Sequence, residues 1–147
     1  MNQRGVTLIE LIIVMVIIAI GALLTTPNIN SWLTNYRMRS ATRDVVSIMR
    51  VAQLKAVSNH TLYQVIFDTA HDSYILQYQD TGGNWVAEGQ TQTLPTGVKY
   101  ITTFAGNIIT FSPNSRTTEN GSITLNNTKG SIKTVQVFSM TGRIKVE

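Results

Sequence analysis

The sequence predicts an α+β protein: a long N-terminal helix, half apolar and half amphipathic, packed on an antiparallel β-sheet head. Three observations predict it. Between Val6 and Leu24 only Thr7 and Glu10 are polar. From Ile29 to about Ser58 apolar residues recur at three- and four-residue steps. After His60 the chain changes to short aromatic and β-branched runs separated by turn residues.

The first helix would span about 28 Å at roughly 1.5 Å per residue, close to the ~30 Å of bilayer hydrocarbon. Arg4 precedes the apolar run and should remain cytoplasmic. Glu10 is the anomaly, because an acid at the centre of an inserted helix costs roughly 2.5–3.5 kcal/mol. A cut after Gly5 would give Val6 a new α-amine four residues from Glu10, within the first turn of a helix. The helix dipole and the spacing of four both favour a carboxylate there. The amine of a neighbouring copy would serve equally well, making Glu10 an assembly register.

The next segment, Thr25-Thr26-Pro27-Asn28, reads as a kink or pause, because proline lacks an amide donor. Beyond it Tyr36, Met38, Ala41, Val45, Ile48, Met49, Ala52 and Ala56 form one apolar face, with Arg39, Arg43 and Arg50 largely off it. Ser58-Asn59-His60 ends the helix. The expected strands are Leu62–Phe67, Tyr74–Tyr78, Trp85–Val86, Val98–Phe104, Ile108–Phe111, Ser122–Leu125, Thr134–Phe138 and Arg143–Val146. Turns are expected at 68–72, 80–84 and 94–97, at Asn120-Gly121 and at Thr141-Gly142. The expected organisation is therefore 1–5 as a leader, 6–27 as a membrane or filament-core helix, 28–60 as an amphipathic helix, and 61–147 as the β head.

The segment Gly5-Val6-Thr7-Leu8-Ile9-Glu10 resembles the signal of type IV pilins and type II secretion pseudopilins, with Val6 in place of the usual phenylalanine. The resemblance implies cleavage between Gly5 and Val6 by a prepilin peptidase, N-methylation of Val6 and filament assembly. Glu10 would recruit the next subunit, and Pro27 falls where many pilins carry a helix-kinking proline. An ordinary secretory signal would lack Glu10 and would offer a better cleavage site than Leu23-Leu24-Thr25-Thr26-Pro27. A plain single-pass anchor would not explain Glu10.

A narrower resemblance covers nearly the whole chain. Phe111-Ser112-Pro113-Asn114-Ser115, Gly121-Ser122-Ile123-Thr124-Leu125 and Gly142-Arg143-Ile144-Lys145-Val146 are similar to segments of the GspH/FimT minor pilins and pseudopilins. Ser115 stands where those proteins usually have glycine. The family implies a pilin-like fold and a structural subunit, inserted in the bacterial inner membrane with its head in the periplasm and then built into a pilus or pseudopilus. Its partners would be other major and minor pilins or pseudopilins and, before assembly, inner-membrane lipid. Secreted cargo or double-stranded DNA are further candidates.

Composition bounds the chemistry. The chain has 147 residues, no cysteine and a formal net charge of +4, so thiolate metal sites and cysteine nucleophiles are excluded. Asp80-Thr81-Gly82 spells the aspartic-protease triplet, but that chemistry needs two such aspartates sharing a proton and there is one copy. His60 and His71 fit no metal-ligand spacing, and Asp68, Asp72 and Asp80 miss the EF-hand pattern. No phosphate-binding glycine loop is present. No enzyme, cofactor or metal is expected.

The basic residues fall in two groups. Arg37 to Lys55 holds five cations against Asp44, and the last nineteen residues hold Lys129, Lys133, Arg143 and Lys145 against Glu147. Solvated faces are the plain reading of both. If Arg143 and Lys145 alternate on a strand they share a face, and with Lys133 or Lys129 they would make a rim able to touch phosphates. A similar tail in some FimT-type competence pilins is associated with DNA binding, which gives the alternative of a DNA-uptake pilin. An alternative of another class is a membrane-tethered binding protein that never polymerises.

Overall fold

The computed structural model describes residues 6–147, with the helical residues 24–30 described by backbone alone. The expected leader, including Gly5, lies outside the described residues, as does the side chain of Pro27. The chain divides into two units, Met1–Leu33 and Thr34–Glu147.

Helix α1 runs Leu8–Ser58. The expected pause at Pro27 does not end it. A proline inside a helix removes one amide donor, and here the helix continues on both sides of that loss. Every described side chain from Val6 to Leu23 is exposed. Among the described residues no helix is long and apolar enough to cross a membrane.

The second unit is the head. Met38, Ala41, Val45, Met49, Ala52 and Ala56 of α1 are buried, as the periodicity predicts, while Tyr36 is 58% exposed. Val46 and Thr42 are buried as well; the Thr42 hydroxyl is satisfied by donating to the Met38 carbonyl at 2.8 Å. The helix ends at Ser58, and His60 adopts a positive φ of 52° just beyond it.

The strands form two antiparallel sheets rather than one. Strands β1 (Tyr63–Asp68), β2 (Ser73–Gln79), β3 (Trp85–Ala87), β4 (Gln92–Thr93) and β6 (Ile108–Phe111) make the first, in the order β3-β2-β1-β6 with β4 also on β2. Strands β5 (Val98–Thr102), β7 (Gly121–Asn127), β8 (Ile132–Phe138) and β9 (Arg143–Val146) make the second, in the order β5-β7-β8-β9. Side chains from both sheets and from α1 meet in one core containing Phe67, Phe111, Ile109, Ile123, Leu125, Met49 and Val135. Phe67 packs edge-on against Tyr100 at 5.7 Å between ring centroids, joining β1 to β5.

Two expectations fail for steric reasons. The run Val98–Phe104 is not all strand: β5 stops at Thr102, and a short turn, Ala105–Asn107, follows the buried Phe104. Gly121 is not a turn residue but the first residue of β7. A β-carbon there would lie 2.4 Å from the Phe104 ring, so the glycine makes room for that ring.

Candidate functional site: the helix start, the C-terminal hairpin and a basic groove

The first site is the start of α1. Thr7 immediately precedes the helix. Its carbonyl accepts the amides of Glu10 and Leu11 at 3.1 and 3.3 Å, and its Oγ1 accepts the Glu10 amide at 3.4 Å. Thr-x-x-Glu is the spacing of a capping box, in which the acid stands in the first turn facing the positive end of the helix dipole. The sequence reading places Glu10 at the positive end of the helix dipole and misses only the Thr7 cap on its amide. The Thr7–Glu10 spacing was the signal.

The second site is the C-terminal hairpin. Gly142 has φ +62°, and a β-carbon there would lie 1.9 Å from the Ser115 carbonyl oxygen. Ser115 itself holds φ +67°, the left-handed conformation for which glycine is the usual residue. Gln53 of α1 closes the junction. Its Nε2 donates to the Ser115 Oγ (2.8 Å), the Ser115 carbonyl (3.1 Å) and the Gly142 carbonyl (3.0 Å). The Gly142 motif is thus a close-packing device between helix and last hairpin.

The four expected DNA-contacting cations do not form one surface. Directly opposed residues of an antiparallel pair share a face. Arg143 and Lys145 oppose Phe138 and Gln136, alternate with the buried Val135 and Val137, and so face away from the core. Lys133 opposes the buried Leu125 and stands on the core-facing side. Lys129 sits in the β7–β8 turn, its amide donating to Asn127 Oδ1 at 3.0 Å. Lys145 is paired with Glu147, which also accepts from Gln136 Nε2 at 3.0 Å.

Lys133 joins a different group. It lines a groove of about 540 Å³ with Arg39, Arg43 and Arg50 of α1, over an apolar lining that includes Val51, Leu54 and Val146. The five cations of the Arg37–Lys55 stretch therefore have separate fates. Lys55 pairs with Glu88, a contact that raises the lysine's pKa. Arg37 donates to the Thr96 carbonyl at 3.3 Å. Arg39, Arg43 and Arg50 join no ion pair among the described residues. The positions 39, 43 and 50 share one helical face, a signal already present in the spacing.

The remaining polar candidates have structural partners. Asp80 Oδ1 accepts the amides of Asn84 at 2.8 Å and Gly82 at 2.9 Å, and these bonds hold its carboxyl below the usual range. That is a turn-forming carboxylate. His71 Nδ1 lies 2.6 Å from Asp68 Oδ2, a contact that lowers the Asp68 pKa. Among the described residues no group of three histidines or acids could hold a metal ion.

Comparison with known proteins adds two findings. The family described as the prokaryotic N-terminal methylation motif matches residues 1–26. No curated protein matches the sequence. Among solved structures, the minor pseudopilin EpsH of the Vibrio cholerae type II secretion system is similar at TM-score 0.65 and 8% identity, covering 78% of this chain and 97% of that one. The type IV minor pilin FimU of Pseudomonas aeruginosa is similar at TM-score 0.63 and 16% identity, covering 79% and 92%. The chain thus carries a match to the N-terminal methylation motif over residues 1–26, and its fold is similar to the pilin-like fold of EpsH and FimU. One of those two structures is of a type IV pilus subunit and the other of a type II secretion subunit.

Proposed function

We propose that the chain is a minor pilin or pseudopilin, a structural subunit of a type IV pilus-like or type II secretion filament. The observation that carries the proposal is the uncovered apolar surface from Val6 to Leu23, which lies within the residues that match the methylation motif. So large a bare apolar surface needs lipid or other helices around it. Before assembly the helix sits in the inner membrane with the head in the periplasm. A prepilin peptidase cuts after Gly5, Val6 is N-methylated, and the helix then packs among those of other pilins or pseudopilins.

Glu10 is the assembly contact in this reading, and its capping-box spacing from Thr7 gives a sharp test. Glutamine also completes a capping box but carries no charge. Glu10→Gln should therefore keep the subunit in the membrane, with its helix start intact, and fail to enter filaments. Normal incorporation of that variant would reduce Glu10 to a cap. The processing step is tested by intact mass: the mature chain should begin at a methylated Val6. An uncut leader in cells with active peptidase would favour a tethered binding protein that does not polymerise. The alternative of a duplex-DNA contact would rest on Arg143 and Lys145, which share a face, and not on Lys133, which stands on the other side of the sheet.

A further inference from the structure

We infer that the groove between α1 and the β8–β9 end of the head is a docking site for an extended peptide segment that carries both acidic and apolar side chains on the face it presents. The inference goes beyond the filament reading and rests on the head alone.

The charge argument is one-sided. Arg39, Arg43, Arg50 and Lys133 line the groove and no acid does. None of the four joins an ion pair among the described residues, whereas Lys55, five residues beyond Arg50 on the same helix, does. Guanidinium groups present fixed forks that match carboxylates in two-bond geometry. The groove therefore favours a partner that brings carboxylates.

The lining excludes a purely electrostatic partner. Leu54 is 69% exposed and Val146 45% exposed, side by side with the cations. A nucleic-acid backbone has no apolar side chains to cover them, while a peptide whose inward face carries both acidic and apolar side chains does. The size also fits. From Arg39 to Leu54 the helix advances about 22 Å at ~1.5 Å per residue. An extended chain covers that length in about seven residues at ~3.3 Å each.

The experiment uses the full chain in detergent and a labelled peptide of about seven residues in which Glu and Val come in successive pairs, so that each face carries both; the length is the one the groove sets. Binding is read by fluorescence anisotropy. Comparison peptides replace Glu with Gln, or Val with Ser, and a duplex DNA of similar charge is the last arm. The expected result is saturable binding of the Glu–Val peptide. Removal of both guanidinium forks in Arg43→Gln/Arg50→Gln should weaken it about tenfold or more. The Gln and Ser peptides and the Leu54→Asn variant should each bind more weakly, while Lys145→Gln should not change it. Arg43, Arg50 and Leu54 are exposed, and an unchanged near-ultraviolet spectrum checks that each variant keeps its fold. Absence of binding, equal binding of the Ser peptide, or tighter binding of the duplex through the same arginines would each overturn the inference. An uncut leader would sink the filament reading and leave this result untouched.

Discussion

Gly142→Ala should destabilise the head far more than an ordinary turn substitution. The residue holds φ +62°, which costs a residue with a side chain about 1–2 kcal/mol. The added carbon would lie 1.9 Å from the Ser115 carbonyl oxygen and 2.3 Å from Gln53 Nε2, so one backbone segment must move. The three contacts from Gln53 then go with it. Two N–H groups serve those three acceptors, so their net worth is about 2 kcal/mol at ~1 kcal/mol per bond. The sum is about 3–4 kcal/mol, a large part of the roughly 5–15 kcal/mol that holds a domain together. For a head of this size that corresponds to a fall in melting temperature of about 10–15 °C. The assay is thermal unfolding of the full chain in detergent, followed by near-ultraviolet circular dichroism. Gly130→Ala is the control: Gly130 holds φ +78° with no atom within 4 Å of an added carbon, so it pays only for the backbone. If the two variants lose the same stability, the close-packing argument is wrong. Combining Gly142→Ala with Gln53→Ala should cost less than the sum of the two, by roughly 1–2 kcal/mol, because both remove the same bonds.

Other outcomes follow from the same geometry. Ser115→Ala should cost about 1 kcal/mol by losing the bond from Gln53 while keeping the left-handed backbone; Ser115→Gly, which relieves that backbone, should cost less, and equal losses in urea titrations would count against the junction described here. Phe111→Ala should cost about 3–5 kcal/mol, since a fully buried ring leaves a cavity shared by both sheets; a loss under about 1 kcal/mol would mean that the core collapses around it. Burial, and then the charge of Asp44, push the Tyr74 phenol up to about 12. Burial first, and then Asp68 and Asp72, push Tyr100 up as well. Raised phenols contribute stability that is fully present below about pH 10 and lost as the pH climbs through the folded-state values. Phenolate absorbance from these two residues should therefore rise together with unfolding, and their ionisation in an intact fold near pH 10 would contradict the burial.

The sequence made the helix and most strands legible because their signals are periodic. Met38, Ala41, Val45, Met49, Ala52 and Ala56 mark the buried face of α1 by spacing alone, and each is buried. Strand β4 gave no signal: its two residues, Gln92 and Thr93, are polar and exposed, and pair with β2 through the backbone. Gly121 was misread because a glycine beside asparagine signals a turn, whereas here it accommodates the distant Phe104 ring. The same limit governs the candidate sites. Thr7 and Glu10 lie three residues apart, so their capping relation was readable from the chain. Lys133 and Arg50 come from different elements, and only the packing of β8 against α1 makes them neighbours. Arg143 and Lys145 share a face as alternation requires, but the side on which Lys133 stands depends on its register with Leu125.

The junction of Gln53 with Gly142 also orders events in time. The two residues are 89 positions apart, so the contact cannot form until the chain has reached Gly142. Until Gly142 arrives, the Gln53 amide and the Ser115 carbonyl wait without this shared partner, and β8 has no β9 beside it. Contacts between residues so far apart in the chain form late, because loop closure must be paid before they reward it. A head whose chain has not yet reached Gly142 is thus open at its last hairpin, and only the arrival of β9 can close it.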